Sequence, residues 1–274
     1  MKKRKSSTLQ PLLLPLALQA CLLSPSQSAT ITLVTGDVAR EAPLIAHLEA
    51  QGHSVVTGAF GALDTTASDV TALNSADLVI ISRNTNSGDY ASNATEVAIW
   101  DGLATPVLLG NAYISRNNRW SMVNTAAIQV DYGFDLSAPT GTTTVHPFFT
   151  GMTPNTIADP AISGLDKYSF SVSSDIPDGG TVMGDGMTIA VRNNASFQNV
   201  IVATWAAGEM TGSGNVLGDD RFFYAMPEDF ANFDANGVRL LDNIVNTALG
   251  APVPEPGTLA LVIPAALGFL RRRR

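Results

Sequence analysis

Four polar side chains of this sequence stand where an α/β sheet could hold a ligand, because each closely follows a short apolar run. They are Asp37 after 30–35, Arg83 after 77–82, and Asn111 and Tyr113 after 106–109. Asp37 has the chemistry of a general base or a cation ligand, Arg83 can bind a carboxylate, and Asn111 can donate to a sugar hydroxyl. Ligands of open α/β sheets bind beyond the carboxyl ends of the strands. We therefore predict that Arg83, Asn111 and Tyr113 bind a ligand and that Asp37 is a candidate catalytic residue.

Each of these residues also has a structural role open to it. Asp37 would cap the first helix, Arg83 would pair with Asp89 or Glu96, and Asn111 would satisfy a turn. The sequence alone leaves both sets of roles open.

His146 is the second candidate for a catalytic base, since an imidazole titrates near neutral pH. The alternative is a histidine that forms a hydrogen bond at the end of a loop or strand. His47 and His53 show no metal-ligand spacing with each other or with His146.

Calcium is the one metal considered from the sequence, because an acid-rich stretch near the C-terminal end of the domain could supply oxygen ligands. Its members are Asp219, Asp220, Glu228, Asp229 and Asp234. The stretch lacks the alternating acidic register of an EF-hand loop, so exposed turns and helix caps are the preferred interpretation. The sequence predicts no metal and no cofactor.

The tryptophans separate into core and surface candidates. Trp100 and Trp205 lie in apolar, periodic surroundings and are predicted to be buried. Trp120 follows the polar residues 116–119 and is the candidate for an exposed platform that stacks on a carbohydrate, with partial burial against the sheet as the alternative.

Alternating strands and helices position the candidates in the first half of the chain. Continuous or β-branched apolar runs indicate strands, and periodic apolar residues indicate helices. The predicted order is a strand at 30–35, a helix at 39–51, strands at 54–57 and 77–82, a helix at 92–103 and a strand at 106–109. This alternation predicts right-handed βαβ units and a parallel sheet.

The pattern loosens in the second half. From about 126 to 198 only short β-like pieces stand out, around 168–172, 180–183 and 187–191. Strands return at 199–205 and 221–224, and Asp234 can cap a closing helix that ends before Gly250. The predicted fold class is α/β, with a central, mostly parallel sheet in three layers and an irregular β-rich insertion at about 126–198.

Five segments follow the order seen in ThuA-like proteins, a group within the class I glutamine amidotransferase-like superfamily. They are Asp77 to Ser82, Pro106 to Asn111, His146 to Gly151 with its His-Pro element, Val200 to Trp205, and Arg221 to Leu249. The chain resembles this group over roughly 30–250, and the resemblance implies a flavodoxin-like three-layer fold. In that superfamily a cysteine, where present, lies on a sharp turn after a central strand. The corresponding positions 110–113 contain no cysteine, and no Gly-x-Ser-x-Gly motif replaces it, so glutaminase chemistry is excluded.

The N-terminal residues have the features of a secretory signal peptide. Basic residues occupy 2–5, an apolar segment runs from Pro11 to Leu23, and small residues suit a cut before Ala29. Cys21 is the single cysteine of the chain, so the processed protein is predicted to have no disulfide, thiolate metal site or cysteine nucleophile. Residues 18–21 faintly resemble a lipobox, and lipidation of Cys21 is the alternative.

The C-terminal tail combines three unlike features in a fixed order. The motif Pro254, Glu255 and Pro256 precedes the thirteen uncharged residues 258–270, a run shorter than the roughly 17–25 residues of an ordinary membrane-spanning helix. Four arginines that are costly to translocate then end the chain: Arg271, Arg272, Arg273 and Arg274. The tail resembles the PEP-CTERM sorting signal of bacterial proteins processed by exosortase. The resemblance implies cleavage near the motif and delivery to the outer surface or extracellular matrix. The alternative is a simple C-terminal membrane anchor.

The domain that remains after processing at both ends is strongly acidic. Residues 30–250 hold eight basic and 23 acidic residues, a net charge of −15. That balance disfavours binding to nucleic acid or anionic lipid.

These observations predict a signal peptide at 1–28, a ThuA-like/amidotransferase-like domain at 29–250 and a sorting signal at 251–274. The expected function is a non-catalytic binding or matrix-associated role at the cell surface or in the exopolysaccharide matrix. The expected partners are signal peptidase and exosortase during export, a glycan or matrix ligand, and the membrane, transiently, through 258–270. The alternatives are a cysteine-free hydrolase or carbohydrate-processing enzyme that uses Asp37, Arg83, Asn111 and His146 in one crevice, and an ice-binding passenger. The regular rows of threonine that an ice-binding face needs are missing from the sequence.

Overall fold

A single nine-stranded sheet runs through the part of the chain that the computed structural model describes, residues 28–63, 67–139, 146–153, 167–193 and 198–251. The strands are Thr30–Val34 (β1), Ser54–Gly58 (β2), Leu78–Ile81 (β3), Val107–Leu109 (β4), Ile128–Ser137 (β5), Lys167–Pro177 (β6), Met187–Asn193 (β7), Gln198–Trp205 (β8) and Arg221–Tyr224 (β9). Their order across the sheet is β2-β1-β3-β4-β9-β8-β7-β5-β6.

The first five strands in this order are all parallel. Taken alone they form the 2-1-3-4-5 arrangement of flavodoxin-like sheets, with β9 as the fifth strand. All four residues of β3 are buried, as a continuous apolar run in a central parallel strand requires. The α/β fold class predicted from the sequence is confirmed.

Five α-helices lie in the described residues: Ala42–Ala50 (α1), Ala67–Asn74 (α2), Ala94–Asp101 (α3), Ala112–Ser115 (α4) and Ala235–Ala248 (α5). His47 of α1 contacts Asp242 of α5, with 2.7 Å between Nε2 and Oδ1. The end of α2 contacts the segment after α3, because the Ala104 amide donates to Asn74 Oδ1 at 2.9 Å. Right-handed connections place α1 and α5 on one face of the sheet and α2 and α3 on the other. This arrangement gives the three layers that were predicted.

The β-rich segment predicted at about 126–198 extends the same sheet. Its strands β5, β6 and β7 join the parallel half through antiparallel pairings that end at β8 and β9. β6 is a continuous strand of 11 residues, longer than the predicted piece at 168–172. The piece predicted at 180–183 contributes an isolated bridge between Val182 and Val123 instead of a strand.

The chain ends that carry the predicted signal peptide and the sorting tail lie outside the described residues. Within the described residues, none of the helices combines the length and apolarity that crossing a membrane would require.

Candidate functional site at the carboxyl edge of the sheet

The carboxyl edge between β1 and β3 is the topological switch point, where sheets of this order bind ligands. Two loops meet there directly. The Gly36 amide, after β1, donates to the carbonyl of Asn84, after β3, at 3.0 Å. A Cβ added at Gly36 would lie 3.2 Å from that carbonyl oxygen, so glycine is what allows the close approach. The backbone pairing of β1 and β3 therefore continues into the two loops that follow these strands.

The helix cap left open for Asp37 is not formed, because the N-cap of α1 is Glu41; Asp37 acts in the turn before the helix. Its Oδ1 accepts from the Arg40 amide at 3.1 Å, which satisfies a donor in the turn before α1. Its own amide donates to Thr35 Oγ1 at 3.0 Å. The side chain is exposed and bonded to a neighbouring amide, and nothing in this geometry prepares it as a general base.

A buried carboxyl that sequence reasoning missed lies next to this turn. Glu41 is 4% exposed, and its Oε1 accepts from Asn84 Nδ2 at 2.8 Å. Burial raises the pKa of Glu41, and the hydrogen bonds from Asn84 and Ser82 oppose that shift. The available signal was Pro43, because proline favours the first turn of a helix and so would have placed Glu41 at the start of α1.

The loop after β9 is joined to the same edge. Arg40 pairs with Glu228 at 2.6 Å and with Asp229 at 2.5 Å. Asn84 Nδ2 also donates to the Glu228 carbonyl at 2.8 Å. The hydrogen bond from Arg40 lowers the pKa of Asp229. Loops after β1, β3 and β9 are thus held together across the carboxyl edge.

Arg83 pairs with Asp175 of β6, with Nε donating to Oδ2 at 2.8 Å. This corrects the two partners proposed from the sequence, Asp89 and Glu96, which are near in sequence but bonded elsewhere. Asp89 Oδ2 accepts from Asn86, and Glu96 Oε2 accepts from Ser92.

The β5–β6 ribbon closes over the carboxyl edge at the Asp175 position. Ser174 Oγ donates to the Ala225 carbonyl at 2.7 Å, and Ser174 forms a bridge with Pro227. The charge of Arg83 is therefore neutralised by an acid from the antiparallel half of the sheet.

Asn111 is buried, and its amide is fully used within the fold. Its Nδ2 lies 3.1 Å from the Arg83 carbonyl, 2.9 Å from the Thr85 carbonyl and 3.0 Å from Thr85 Oγ1. Its Oδ1 accepts from the Tyr113 amide at 2.9 Å and so caps α4. These bonds leave no donor directed at a ligand, so the side chain has the turn-satisfying role.

Tyr113 lies beside two arginines. The guanidinium carbon of Arg83 is 4.9 Å from the ring centroid, and that of Arg116 is 5.3 Å away. Both distances are within the range of cation–π attraction. Unlike Arg83 and Asn111, Tyr113 has a side chain in contact with a charged group, Arg116, that forms no ion pair among the described residues.

His146 lies apart from the other candidates. It lines a cavity of about 180 Å³ with residues at the amino edge of the sheet, including Asp220 before β9 and Thr247 near the end of α5. Its Nδ1 accepts from the Phe148 amide at 3.3 Å, and burial lowers its pKa. The single crevice considered for an enzyme is therefore not formed. Asp37, Arg83 and Asn111 lie at the carboxyl edge of the sheet, whereas His146 lies at the amino edge, and the length of the strands separates the two.

The tryptophans and the acid-rich stretch serve the fold. Trp120 is 1% exposed and its Nε1 donates to the Tyr90 carbonyl at 2.7 Å, so the exposed platform predicted for it is wrong and the burial alternative holds.

In the acid-rich stretch, Asp220 accepts from the Ala207 amide and Asp234 caps α5 through the Gly237 amide. Across the described residues, no three histidine, aspartate or glutamate side chains converge in a way that would hold a metal ion.

Comparison with known proteins yields a structural similarity and no sequence relative. No protein-family model matches the chain, and no curated protein sequence matches it significantly. One similar solved structure is a protein provisionally assigned as a component of GMP synthase from Thermoplasma acidophilum, at 11% identity with a TM-score of 0.44. The similarity covers 81% of this chain and 95% of that one. At this level of similarity neither family nor activity is transferred.

Proposed function

We propose that this protein is an exported domain, delivered by its C-terminal tail to the cell surface or the exopolysaccharide matrix, where it has a non-catalytic binding or matrix-associated role. The observation that carries the non-catalytic part is that the polar groups at the switch point are bonded to partners within the fold. Gly36 contacts Asn84 through the backbone, Arg83 pairs with Asp175, and the Asn111 amide is used internally. A ligand at this edge would have to compete with these internal contacts for the same polar groups.

The turn after β4 supports the same interpretation. In a ThuA-like or amidotransferase-like scaffold this turn would carry the nucleophile, and nucleophile elbows are strained. Asn111 has φ −101° and ψ 106°, an ordinary extended conformation. The resemblance to that superfamily is part of the proposal and is supported by the 2-1-3-4-5 order of the parallel strands.

The two ends of the domain support the proposed route of export. β1 begins at Thr30, one residue after the predicted signal-peptide cut, and Ala29 is already buried. Ser28 and Ala251 line one cavity of about 110 Å³, so leader and tail leave the domain at the same place. The six residues between Ala251 and the apolar run can span at most about 20 Å. A precursor held by 258–270 would therefore carry its amino edge close to the membrane.

Among the described residues, the four side chains proposed for the enzyme alternative do not converge on one site. It required Asp37, Arg83, Asn111 and His146 in one crevice, and His146 lines a cavity at the other edge. We therefore keep the non-catalytic role as the proposal.

The delivery proposal is tested in a bacterial host that contains an exosortase. Full-length protein and a control truncated after Ala251 are expressed, the cell, membrane and extracellular fractions are separated, and both termini are defined by mass spectrometry. We expect full-length protein to reach the surface or medium beginning at Ala29 and lacking Arg271–Arg274, and the control to bypass C-terminal processing. Mature exported protein that retains Arg274 would refute the exosortase route.

A further inference from the structure

Basic side chains are scarce in this domain, yet three of the eight between residues 30 and 250 lie close to one another. Arg83 and Arg116 both approach the Tyr113 ring, at 4.9 and 5.3 Å from its centroid. Arg119 belongs to the same turn as Arg116, since its amide donates to the Arg116 carbonyl at 2.9 Å. Arg119 is near enough for its charge to lower the pKa of Arg116, although burial is the larger cause of that shift. We call Arg116, Arg119 and Tyr113 the arginine patch.

Two of these charges have no counter-charge among the residues that the structure describes. Arg83 is neutralised by Asp175. By contrast, no carboxylate of the described residues lies within 4.0 Å of Arg116 or Arg119. This is unusual in a domain with 23 acidic residues, because partly buried like charges are stabilised most simply by a nearby acid.

The Arg116 guanidinium is oriented by neutral groups that leave most of its donor capacity unused. Its Nε donates to the Tyr113 carbonyl at 2.8 Å, which fixes the plane of the group. The two Nη atoms make long contacts of 3.5 Å, to the Ala126 carbonyl and to Ser87 Oγ. A planar, oriented guanidinium with weakly bonded Nη atoms is suited to bidentate binding of a carboxylate.

We propose that the arginine patch, with the Ser87 hydroxyl, binds the carboxylate of an acidic sugar. That the sugar belongs to a matrix polysaccharide rests on the proposed delivery to the cell surface, whereas carboxylate binding follows from the geometry alone. A nucleic acid fits poorly, because a duplex carries one negative charge per about 1.7 Å and would bring many phosphates against an acidic domain. A polysaccharide with one carboxylate per sugar has a lower charge density. At physiological salt, screening over about 8 Å limits its repulsion by distant acids.

The test uses purified protein spanning residues 29–251, the described domain without its two predicted export signals, and a defined oligogalacturonate, with calorimetry or amide chemical shifts as the readout. The methyl-esterified oligomer is the uncharged comparison, and inorganic sulfate is the free-anion comparison. The variants are Arg116→Gln, the double variant Arg116→Gln with Arg119→Gln, and Arg116→Lys. Arg239→Gln is the control, since it removes one positive charge from an exposed site on α5.

We expect saturable binding of the oligogalacturonate and none of its methyl ester. Removing a charged hydrogen-bond partner should weaken binding at least about tenfold in Arg116→Gln and further in the double variant. Arg116→Lys should fall between Arg116→Gln and the unmodified protein, and Arg239→Gln should bind within about twofold of it. Melting temperatures of all variants establish that they are folded, and the graded lysine result separates charge recognition from a general loss of structure.

Wild-type affinity in the double variant, or absence of saturable binding to the unmodified protein, would overturn the proposal. Sulfate that binds as tightly as the oligomer would overturn the sugar as the ligand. These results are independent of the export experiment, because they use folded protein whatever route it takes in the cell.

Discussion

Replacement of Arg221 by methionine should cost this domain a large part of its stability. Arg221 is 1% exposed, and its two Nη atoms lie within 2.8–3.1 Å of six backbone carbonyl oxygens. Those carbonyls belong to Trp100, Asp101, Leu103, Thr105, Asp219 and Asp220. Three of them lie at the C-terminal end of α3, where a positive charge is favoured by the helix dipole. Burial lowers the pKa of Arg221 to about 10, so the side chain remains charged at neutral pH.

The magnitude follows from what methionine leaves behind. Removing one member of a buried charged network costs about 3–5 kcal/mol. Each carbonyl left without a donor adds about 1–3 kcal/mol, part of which is recovered by the buried apolar side chain and by relaxation. Asp101 limits the loss, because burial already raises the pKa of its carboxyl and it can take up a proton. We expect a net loss of about 4 kcal/mol, which for a domain of this size is a fall of about 8–16 °C in melting temperature.

The assay is urea unfolding at pH 7 followed by circular dichroism, with the melting temperature as a second readout. Arg221→Lys should lose less than Arg221→Met, because its ammonium keeps the charge and can donate to part of the carbonyl set. Arg239→Met, at an exposed position, should change the free energy of unfolding by less than about 0.5 kcal/mol. A loss below about 1 kcal/mol in Arg221→Met would refute the reasoning that these contacts hold α3 to β9.

Two further predictions concern the carboxyl edge. Asn111→Ala should lower the free energy of unfolding by about 2–4 kcal/mol, because it removes the α4 cap and the donor to two backbone carbonyls. Asn111→Asp keeps the cap but places a carboxylate oxygen against those carbonyls in a buried site, so it should lose at least as much, and a clearly smaller loss would contradict the role assigned to Nδ2. Glu41→Gln tests the buried carboxyl. Because the pKa of Glu41 is raised in the folded state, the folded protein binds more protons than the unfolded chain. The contribution of Glu41 to stability therefore falls as pH rises from its unfolded pKa, about 4.3, through its folded pKa. The stability of Glu41→Gln relative to the unmodified protein should therefore increase between pH 4 and pH 7 in urea unfolding, and a difference that is constant or decreases with pH would contradict this.

The parallel half of the fold was predictable because its signals are local. The continuous apolar run of β3 and the glycine that follows α1 mark elements within a few residues, and the structure has them there. The antiparallel half was less predictable, because β6 contains serines and an aspartate and is defined by pairing with β5 rather than by its own periodicity.

The candidate site shows the same limit. The strand ends identified Asp37, Arg83 and Asn111 as residues of one edge, but their partners are set by tertiary contacts. Asp175, which neutralises Arg83, lies 92 residues away in the sequence, so no local pattern could indicate it. Trp120 has polar neighbours in sequence and yet is buried in the core against Trp100, with its indole nitrogen donating to the Tyr90 carbonyl.

Amide hydrogen exchange of Gly36 tests most directly whether the polar groups of the switch point are committed to contacts within the fold. The Gly36 amide donates to the Asn84 carbonyl where the loops after β1 and β3 meet. We predict that it exchanges at least about tenfold more slowly than its intrinsic rate, an opening free energy of about 1.4 kcal/mol or more, in protein without any added ligand. Exchange of Gly36 at the intrinsic rate, while the amides of β1 and β3 stay protected, would mean that the two loops are not joined and that the Gly36 amide is free to bind a ligand, which would contradict the proposed commitment of this edge to internal contacts.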